Sequence, residues 1–321
     1  MPLIDMPLEQ LFKYNGVSPC PKDIDEYWDN ALQEMYAIDP ELELIPSDFQ
    51  VPFAECYDLF FTGVKGARIH AKYIRPKNIS SPRPAVLQFH GYRGNCGDWS
   101  DKMNYVFAGF CVASMDCRGQ GGYSADNLGH IGTTFSGHII RGIDDPNPHN
   151  LSFRHIFLDT AQLARIVMNF EEVDETRVGA MGASQGGALT IACAALEPRI
   201  KKLVPVYPFL CDYKRILEMD LAKDAYYELI YYFRNFDPQH KNEEKVLERL
   251  GYIDLQNIAK RIKGEVLMGT GLMDTICPPS TQFAVYNKIT SPKNIEIYPD
   301  FGHEHLPGFW DKAYQFMLGL A

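Results

Sequence analysis

The chain has 321 residues, 46% of them hydrophobic and 22% charged, a composition that excludes a collagen, a disordered tail and a coiled coil. Surface scaling indicates that about three quarters of the unfolded chain's surface can be buried, so a sizeable core is available. Asp plus Glu number 41 against 31 Lys plus Arg, which gives a formal net charge of -10. No basic run interrupts this acidic balance, so we expect no nucleic-acid partner.

The first ten residues and the cysteines point to a reducing compartment. Residues 1–10 alternate Pro, Asp and Glu with apolar residues and lack the basic start and apolar stretch of a secretion signal. No apolar window of about 18 residues occurs, so we expect no membrane span and a cytoplasmic location. The eight cysteines lack Cys-x-x-Cys spacing, which favours free thiols over disulfides or a zinc site.

Residues 1–80 are expected to form an N-terminal extension with one helix and an antiparallel hairpin. Residues 23–37 carry apolar side chains at helical spacing, with Asp23 placed to cap the helix. Residues 53–61 and 67–73 are predicted strands joined by a glycine-containing turn. Because apolar and polar residues alternate in the second strand, we expect a half-solvated edge of the sheet.

From residue 84 the pattern predicts an α/β fold with a mostly parallel central sheet flanked by helices, within one domain over residues 1–321. Short apolar runs are typical of strands covered on both faces, and they alternate with helical segments. The runs are residues 85–89, 110–115, 178–181, 203–207 and 266–268, and the helical segments are residues 101–108, 152–170, 188–196 and 281–289.

Two long segments stand apart from this alternation. Residues 116–150 are rich in Gly, Asp, Asn and Pro and are too long for a simple connector, so a functional or subunit-contacting loop is expected. Residues 209–262 are charged and are predicted to form a helical insertion between two strands.

The segment Gly-Ala-Ser-Gln-Gly at residues 182–186 is a candidate nucleophile elbow. It follows a predicted strand and precedes a predicted helix, and its glycines stand two residues before and after Ser184. A serine on such a tight turn projects its oxygen while neighbouring backbone passes close. The alternative is an ordinary glycine-rich turn between strand and helix.

A serine nucleophile needs an imidazole base, and in this fold type the chain order is Ser, Asp or Glu, then His. His240, His303 and His305 follow Ser184. His303 is preferred because it lies on a loop after the apolar run at residues 295–298, whereas His240 belongs to the charged insertion and His305 to the next helix. At the carboxyl end of a strand, His303 occupies a usual ligand-binding position.

Three aspartates could orient the imidazole: Asp212, Asp274 and Asp300. Asp274 is preferred because it lies just beyond the strand at residues 266–268, while Asp212 opens the insertion and Asp300 is more suited to shaping a turn. The alternative for Asp274 is a turn aspartate that caps the following helix.

Ester or amide hydrolysis also needs donors for the developing oxyanion. The main-chain N-H of Gln185, the residue after the nucleophile, is one expected donor. The loop at residues 90–94 follows an early strand, which makes the main-chain N-H of Tyr92 the expected second donor. Alternatively, the glycines of this loop only permit a turn.

With these residues in place, the sequence resembles carbohydrate esterase family seven, the acetyl xylan esterases and cephalosporin C deacetylases. That family has three patterns, all present here in the same order: Arg-Gly-Gln at Arg118, Gly119 and Gln120, Gly-x-Ser-Gln-Gly at residues 182–186, and His-Glu at His303 and Glu304. The resemblance implies an α/β-hydrolase fold, with Ser184, Asp274 and His303 as the triad and Tyr92 and Gln185 as oxyanion donors.

The resemblance further implies an esterase that removes acetyl groups from xylo-oligosaccharides, other sugars and cephalosporin C without a cofactor or metal, as a ring-shaped homohexamer. For Arg118, Gly119, Gln120 and Glu304 we expect a structural role. Two other hypotheses stay open, a serine peptidase of the prolyl oligopeptidase type and a non-catalytic binding protein on a hydrolase scaffold. Trp99, Tyr207, Phe209 and Trp310 are candidates either for a substrate pocket or for the core.

Overall fold

The computed structural model of the chain describes residues 4–78, 80–129 and 138–321. Nine strands in these ranges belong to one sheet: β1 Glu43–Pro46, β2 Ala54–Thr62, β3 Arg68–Pro76, β4 Arg83–Phe89, β5 Cys111–Met115, β6 Val173–Ala183, β7 Lys202–Val206, β8 Glu265–Gly271 and β9 Lys293–Tyr298. Their spatial order is β1-β2-β3-β5-β4-β6-β7-β8-β9.

The larger part of the sheet is parallel, as the apolar runs predict. Strand β4 pairs in parallel with β5 and β6, and the parallel pairing continues through β7, β8 and β9. The first three strands are antiparallel to one another, and β3 pairs antiparallel with β5. The predicted α/β-hydrolase class, with an antiparallel N-terminal hairpin, is confirmed.

The helices in the described ranges flank this sheet. They are α1 Leu8–Leu11, α2 Ile24–Tyr36, α3 Met103–Phe107, α4 Ser152–Met168, α5 Gln185–Leu196, α6 Tyr213–Glu218, α7 Tyr227–Phe236, α8 Glu243–Gly251, α9 Pro279–Lys288 and α10 Phe309–Leu318.

The core lies on both faces of the sheet because strand side chains alternate in direction. Along β4, Ala85 and Leu87 join a cluster that contains the apolar side of α4 and the apolar residues of α5. Val86 points to the opposite face, where it joins apolar residues of α3 and α10. The central strands are therefore covered on both sides, which explains their nearly continuous apolar sequence.

The N-terminal hairpin forms as predicted, but its assignment as a half-solvated edge is wrong. Strand β3 lies between β2 and β5, and the exposed edge strand is β1, which the sequence patterns did not indicate. His70 is one of the polar residues that alternate with apolar ones in β3, yet its side chain is fully buried. Its ring nitrogens lie 2.6 Å from Asp116 Oδ2 and 2.9 Å from Asp58 Oδ1, and these polar contacts compensate its burial.

Several helix ends and one expected cap differ from the prediction. Asp23 makes no side-chain capping bond to α2, and its carboxylate instead accepts a hydrogen bond from the Tyr252 hydroxyl at 2.8 Å. The helix predicted at residues 101–108 is split into a 3-10 turn over Ser100–Lys102 and the short α3. Helix α5 begins at Gln185, three residues before the predicted start, because the elbow leads into it directly.

The two long segments have different structures. The insertion at residues 209–262 contains α6, α7 and α8, in agreement with the prediction. In the loop at residues 116–150, the described parts hold one 3-10 turn, Pro148–Asn150, and no strand or α-helix. Its residues 130–137, like residues 1–3 and 79 of the predicted extension, lie outside the described ones.

The eight cysteines are free thiols, with Cys20 exposed and the other seven buried. None of the described helices combines the length and the apolar character that crossing a lipid bilayer would take.

Candidate active site

Ser184 occupies a strained turn between β6 and α5. Its φ of 58° and ψ of -119° fall in a region that non-glycine residues rarely adopt. The flanking glycines are required by close backbone approach. A Cβ at Gly182 would lie 2.5 Å from the carbonyl of Gly186, and a Cβ at Gly186 would lie 2.1 Å from the carbonyl oxygen of Phe89. The predicted elbow geometry is present.

The structure brings the predicted serine, histidine and aspartate side chains together, although 119 residues separate the first two. His303 lies on the loop after β9, and Asp274 lies just after β8. The Nε2 atom of His303 is 3.0 Å from Ser184 Oγ, and its Nδ1 atom is 2.8 Å from Asp274 Oδ2. The Tyr207 ring packs beside the imidazole, with ring centroids 4.5 Å apart.

Asp274 is held in place by donors on both carboxylate oxygens. It is fully buried, and its Oδ1 accepts the main-chain N-H groups of Ile276 at 2.9 Å and Cys277 at 2.8 Å. These donors compensate the cost of burying the charge and leave Oδ2 facing His303. Because a carboxylate only accepts, His303 Nδ1 carries the proton and Nε2 is available to accept from the serine hydroxyl.

The other sequence candidates have different surroundings. His240 is exposed in the insertion, where its Nδ1 lies 2.6 Å from Glu243, and both Asp300 and His305 are exposed. Asp212 is buried, but its carboxylate accepts hydrogen bonds from the N-terminal segment, including the Tyr14 hydroxyl at 2.7 Å.

The two candidate oxyanion donors come from neighbouring elements. Gln185 is the first residue of α5, where N-H groups have no partner within the helix, and Tyr92 lies in the loop after β4. Within the described ranges, neither main-chain N-H donates a hydrogen bond to another group. Both are therefore available to a ligand oxygen.

Gln120 connects the two segments that carry these donors. Its side-chain amide and that of Gln185 donate to each other at 2.7 and 2.9 Å. The Gln120 Oε1 atom also accepts the main-chain N-H of Arg93 at 2.9 Å, directly beside Tyr92. One side chain thus links the loop after β4 to the residue that follows the nucleophile.

Arg118 makes a buried, bidentate ion pair with Asp159 of α4. Its Nε and Nη2 atoms lie 2.7 and 2.5 Å from the two carboxylate oxygens, and both side chains are almost fully buried. Gly119 has a φ of +67°, and a Cβ there would lie 2.9 Å from the Asp126 carboxylate. Glu304 accepts the main-chain N-H of Gly302 at 3.0 Å and so braces the turn that carries His303.

His90 is a site residue that sequence reasoning did not single out. Its Nδ1 lies 2.7 Å from the carbonyl oxygen of Gly91, and its Nε2 accepts the main-chain N-H of Cys117 at 3.0 Å. Burial lowers the pKa of this imidazole, which keeps it neutral in this arrangement. His90 therefore ties the loop of Tyr92 to the segment that begins the Arg-Gly-Gln motif. Its only sequence signal was its position next to Gly91.

A cavity of about 410 Å³ opens at the nucleophile, a size within the usual range for small-molecule sites and larger than an acetyl group requires. Tyr207 and Trp310 belong to its wall and also pack against the core cluster on that face of the sheet. Phe209 is buried against Tyr92 and Tyr226, and Trp99 stacks on Phe49.

Two groups in the described ranges bring three potential metal ligands within 4.8 Å of one another: His70, Cys96 and Asp116, and Asp274, Cys277 and His303. In the first group both imidazole nitrogens are already bound to carboxylates, and burial raises the pKa of the Cys96 thiol to about 12. In the second group Asp274 and His303 are bound to each other. These donors fit the hydrogen bonds they make better than a metal ion.

The chain is similar to known proteins over nearly its whole length. A family model described as acetyl xylan esterase (AXE1) matches residues 1–320. The structure of acetyl xylan esterase 1 from Thermoanaerobacterium sp. JW/SL YS485 is 63% identical, with a TM-score of 0.97, and the match covers 98% of this chain and 99% of that chain. An acetyl xylan esterase from Paenibacillus sp. R4 is 35% identical, with a TM-score of 0.92 and the same coverage.

The acetyl esterase Axe7A of Xylanibacter ruminicola is 27% identical over 290 residues, which are 87% of this chain and 62% of that protein. This chain thus spans less than two thirds of the length of that curated relative. Several peptidase structures match at 15 to 17% identity and share the fold alone. The sequence, the fold and the match over nearly the whole chain lead to one conclusion: the chain belongs to the acetyl xylan esterase family, whose members are carboxylic ester hydrolases.

Proposed function

We propose that this chain is a serine esterase that removes acetyl groups from small O-acetylated substrates through an acetyl-enzyme intermediate. The observation that carries the proposal is the hydrogen-bonded series from Ser184 Oγ to His303 Nε2 at 3.0 Å and from His303 Nδ1 to Asp274 at 2.8 Å. Membership of the acetyl xylan esterase family supports acetyl as the acyl group.

In the first half-reaction, Ser184 Oγ attacks the acetyl carbonyl carbon while His303 Nε2 accepts the serine proton. Asp274 stabilises the imidazolium that forms and keeps its ring in place. The bond from the carbonyl carbon to the alcohol oxygen then breaks, and His303 gives its proton to the leaving alcohol. The product is an acetyl ester on Ser184.

In the second half-reaction, His303 accepts a proton from water as the water oxygen attacks the same carbonyl carbon. The bond to Ser184 Oγ breaks, the proton returns to the serine, and acetate leaves. In both halves the main-chain N-H groups of Tyr92 and Gln185 donate to the oxygen on which negative charge develops. Loss of one such donor typically costs about a hundredfold or more in rate.

The roles of Arg118, Gly119, Gln120 and Glu304 in this proposal are structural. Gln120 holds the two oxyanion segments together, Arg118 fixes the start of the motif against α4, and Glu304 braces the turn of His303. Gly119 accommodates a left-handed backbone conformation between them.

The resemblance supports acetylated xylo-oligosaccharides, other acetylated sugars and the 3-acetoxymethyl group of cephalosporin C as substrates. It also supports assembly as a homohexamer, and the acidic chain with free thiols supports a cytoplasmic location. Chromatography with light scattering tests the assembly, since a particle with the mass of six chains is expected and a monomer would contradict it.

The decisive experiment compares the wild type with Ser184→Ala on p-nitrophenyl acetate and on an acetylated xylo-oligosaccharide. We expect acetate release by the wild type and none by the variant above the rate in buffer. During turnover, mass spectrometry should detect about 42 Da added to the wild type and nothing added to the variant. Retained turnover in Ser184→Ala would remove this serine from the mechanism.

His303→Ala and His305→Ala form a matched pair, because the two histidines lie two residues apart and only His303 contacts Ser184. We expect His303→Ala to lose activity and His305→Ala to keep it. Equal losses would show that the loop, and not the imidazole at 303, matters.

The acyl preference is tested with p-nitrophenyl acetate, butyrate and octanoate, where the acetate should be cleaved far faster than the octanoate. Equal rates would count against an acetyl esterase. A panel of aminoacyl-proline amides examines the peptidase hypothesis, and binding of an acetylated sugar without hydrolysis would favour the non-catalytic hypothesis.

A further inference from the structure

A buried carboxylate on the helical insertion holds the side chain of Tyr92. Glu228 of α7 is 3% exposed, and one of its carboxylate oxygens accepts the hydrogen bond of the Tyr92 hydroxyl. Its other oxygen accepts the main-chain N-H of Ile139 at 2.7 Å and lies 3.4 Å from the N of Ile140. Glu228 therefore joins three separate segments: α7, the loop after β4, and the end of the long loop at residues 116–150.

Two aromatic neighbours pack against the Tyr92 ring. The Phe209 ring is tilted by 47° to it and the His138 ring lies nearly perpendicular to it at 85°, with ring centroids 5.7 Å apart in both pairs. Burial and the Glu228 carboxylate raise the pKa of the Tyr92 hydroxyl above its ordinary value, so the phenol stays protonated and donates a hydrogen bond to Glu228. Only two side-chain torsions separate this anchored hydroxyl from the Tyr92 backbone.

The Tyr92 backbone carries one of the two proposed oxyanion donors. Its main-chain N-H must lie where negative charge develops, and displacements of about 1 Å in such groups can cost about a hundredfold in rate. From the other side, Gln120 fixes the neighbouring Arg93 amide. Glu228 supplies the matching restraint on the side chain of Tyr92 itself.

We propose that Glu228 is a positioning residue for deacetylation, which holds the Tyr92 main-chain N-H at the oxyanion by anchoring the Tyr92 hydroxyl. The inference rests on the proposed function, because it concerns the same oxyanion donor. It also assigns a role to the helical insertion. Glu228 of α7 holds an active-site residue, Tyr92, that lies 136 residues before it in the sequence.

The chain offers a matched control on the same helix. The hydroxyl of Tyr232 of α7 donates a hydrogen bond to Asp144 at 2.6 Å, and Asp144 belongs to the same long loop. This bond has the same chemistry and joins α7 to the long loop, as the bond from Ile139 to Glu228 does, but it does not touch the loop that carries Tyr92. Tyr232→Phe therefore measures how the loss of a tyrosine-carboxylate hydrogen bond affects the stability of this region when the loop of Tyr92 is left intact.

The experiment compares Tyr92→Phe, Glu228→Gln and Tyr232→Phe with the wild type on p-nitrophenyl acetate. Tyr92→Phe removes only the hydroxyl and keeps the backbone N-H. In Glu228→Gln the main-chain N-H of Ile139 can only donate and takes the one remaining oxygen, so the Tyr92 hydroxyl faces the amide NH2 group and loses its charged acceptor. We expect kcat to fall about tenfold in both variants with KM changed less than about twofold, because the oxyanion charge is present mainly in the transition state.

A second readout uses a trifluoromethyl ketone, which forms a tetrahedral oxyanion adduct with the serine. Its affinity should weaken by the same factor as kcat/KM in Tyr92→Phe and Glu228→Gln and stay unchanged in Tyr232→Phe. The double variant should be no slower than the slower single variant, because both changes break one interaction.

Two results would overturn the proposal: kcat within about twofold of the wild type in Tyr92→Phe, or an equal fall in kcat for Tyr92→Phe and Tyr232→Phe. Tyr92→Phe decides the matter even if Glu228→Gln does not fold. Failure of the proposed function is distinguishable, since it would appear as a wild type that releases no acetate or as a Ser184→Ala variant that still does.

Discussion

The buried ion pair between Arg118 and Asp159 provides a sharp test of what holds the Arg-Gly-Gln segment. The pair is bidentate, both partners are almost fully buried, and Arg118 also donates to the carbonyl oxygen of Val64 at 3.2 Å. Replacing Arg118 by Met removes the cation and leaves the Asp159 carboxylate buried without a partner. The free energy of unfolding should fall by about 3–5 kcal/mol.

This loss translates into a measurable change in melting temperature. With about 2.1 cal/mol/K per residue over 321 residues, the entropy of unfolding is roughly 0.7 kcal/mol/K, so Arg118→Met should lower Tm by about 4–7 °C. Differential scanning calorimetry measures Tm, and urea unfolding followed by tryptophan fluorescence measures the free energy.

Two further variants separate charge from packing. Arg118→Met combined with Asp159→Leu removes both charges, and this double variant should regain most of the lost stability, because no buried charge is left unpaired. Lys312→Met breaks an exposed ion pair with Glu296 and should cost far less stability than Arg118→Met, because solvent screens the exposed charges. If Arg118→Met costs no more than Lys312→Met, or if the double variant is as unstable as the single one, an unpaired buried charge is not the cause of the loss.

Three other outcomes are expected. Gln120→Ala breaks the link between the two segments that carry the oxyanion donors, so kcat should fall with little change in KM. Steady-state kinetics on p-nitrophenyl acetate measure both constants, and an unchanged kcat would contradict a positioning role for Gln120. Gly186→Ala places a Cβ 2.1 Å from the Phe89 carbonyl oxygen and should abolish activity or soluble expression. Gly129→Ala, whose Cβ would have no atom of the described residues within 4 Å, should behave as the wild type. Burial raises the pKa of the Asp116 carboxyl. Hydrogen bonds from His70 and from the amides of Tyr123 and Cys96 lower that pKa by more than burial raises it, and the result is a pKa of about 2. The stabilising contribution of this carboxylate is therefore present above its unfolded pKa of about 3.9 and should be lost, by about 2 kcal/mol, as pH falls from about 4 to 2. Urea unfolding across this range should show that loss in the wild type and not in Asp116→Asn.

The strands and the catalytic candidates could be predicted because their signals are local. Buried parallel strands need apolar side chains on both faces, so the runs in β4, β6 and β8 are visible in the sequence. The elbow around Ser184 needs glycines where backbone passes close, and that requirement is also local. His303 followed from the order of functional groups along the chain in this fold type.

The features that escaped prediction depend on contacts between distant residues. Strand β1 is exposed, and only its backbone pairing with β2 makes it a strand. The carboxylate of Asp23, expected at a helix terminus, instead binds the hydroxyl of Tyr252, 229 residues away. Nothing near Glu228 in sequence indicates its contact with Tyr92, because the insertion returns to the active site only in three dimensions.

The positions of the cysteines allow their rates of alkylation to report local opening of the folded chain. Cys20 alone is exposed, whereas Cys56 lies in β2, Cys111 in β5 and Cys193 in α5, each shielded from solvent. An alkylating reagent can reach a shielded sulfur only when its own element opens, so the order in which these cysteines become modified ranks the elements by the free energy of their fluctuations. Strand β2, strand β5 and helix α5 can thus be compared in the wild-type protein, because no cysteine or other probe has to be introduced.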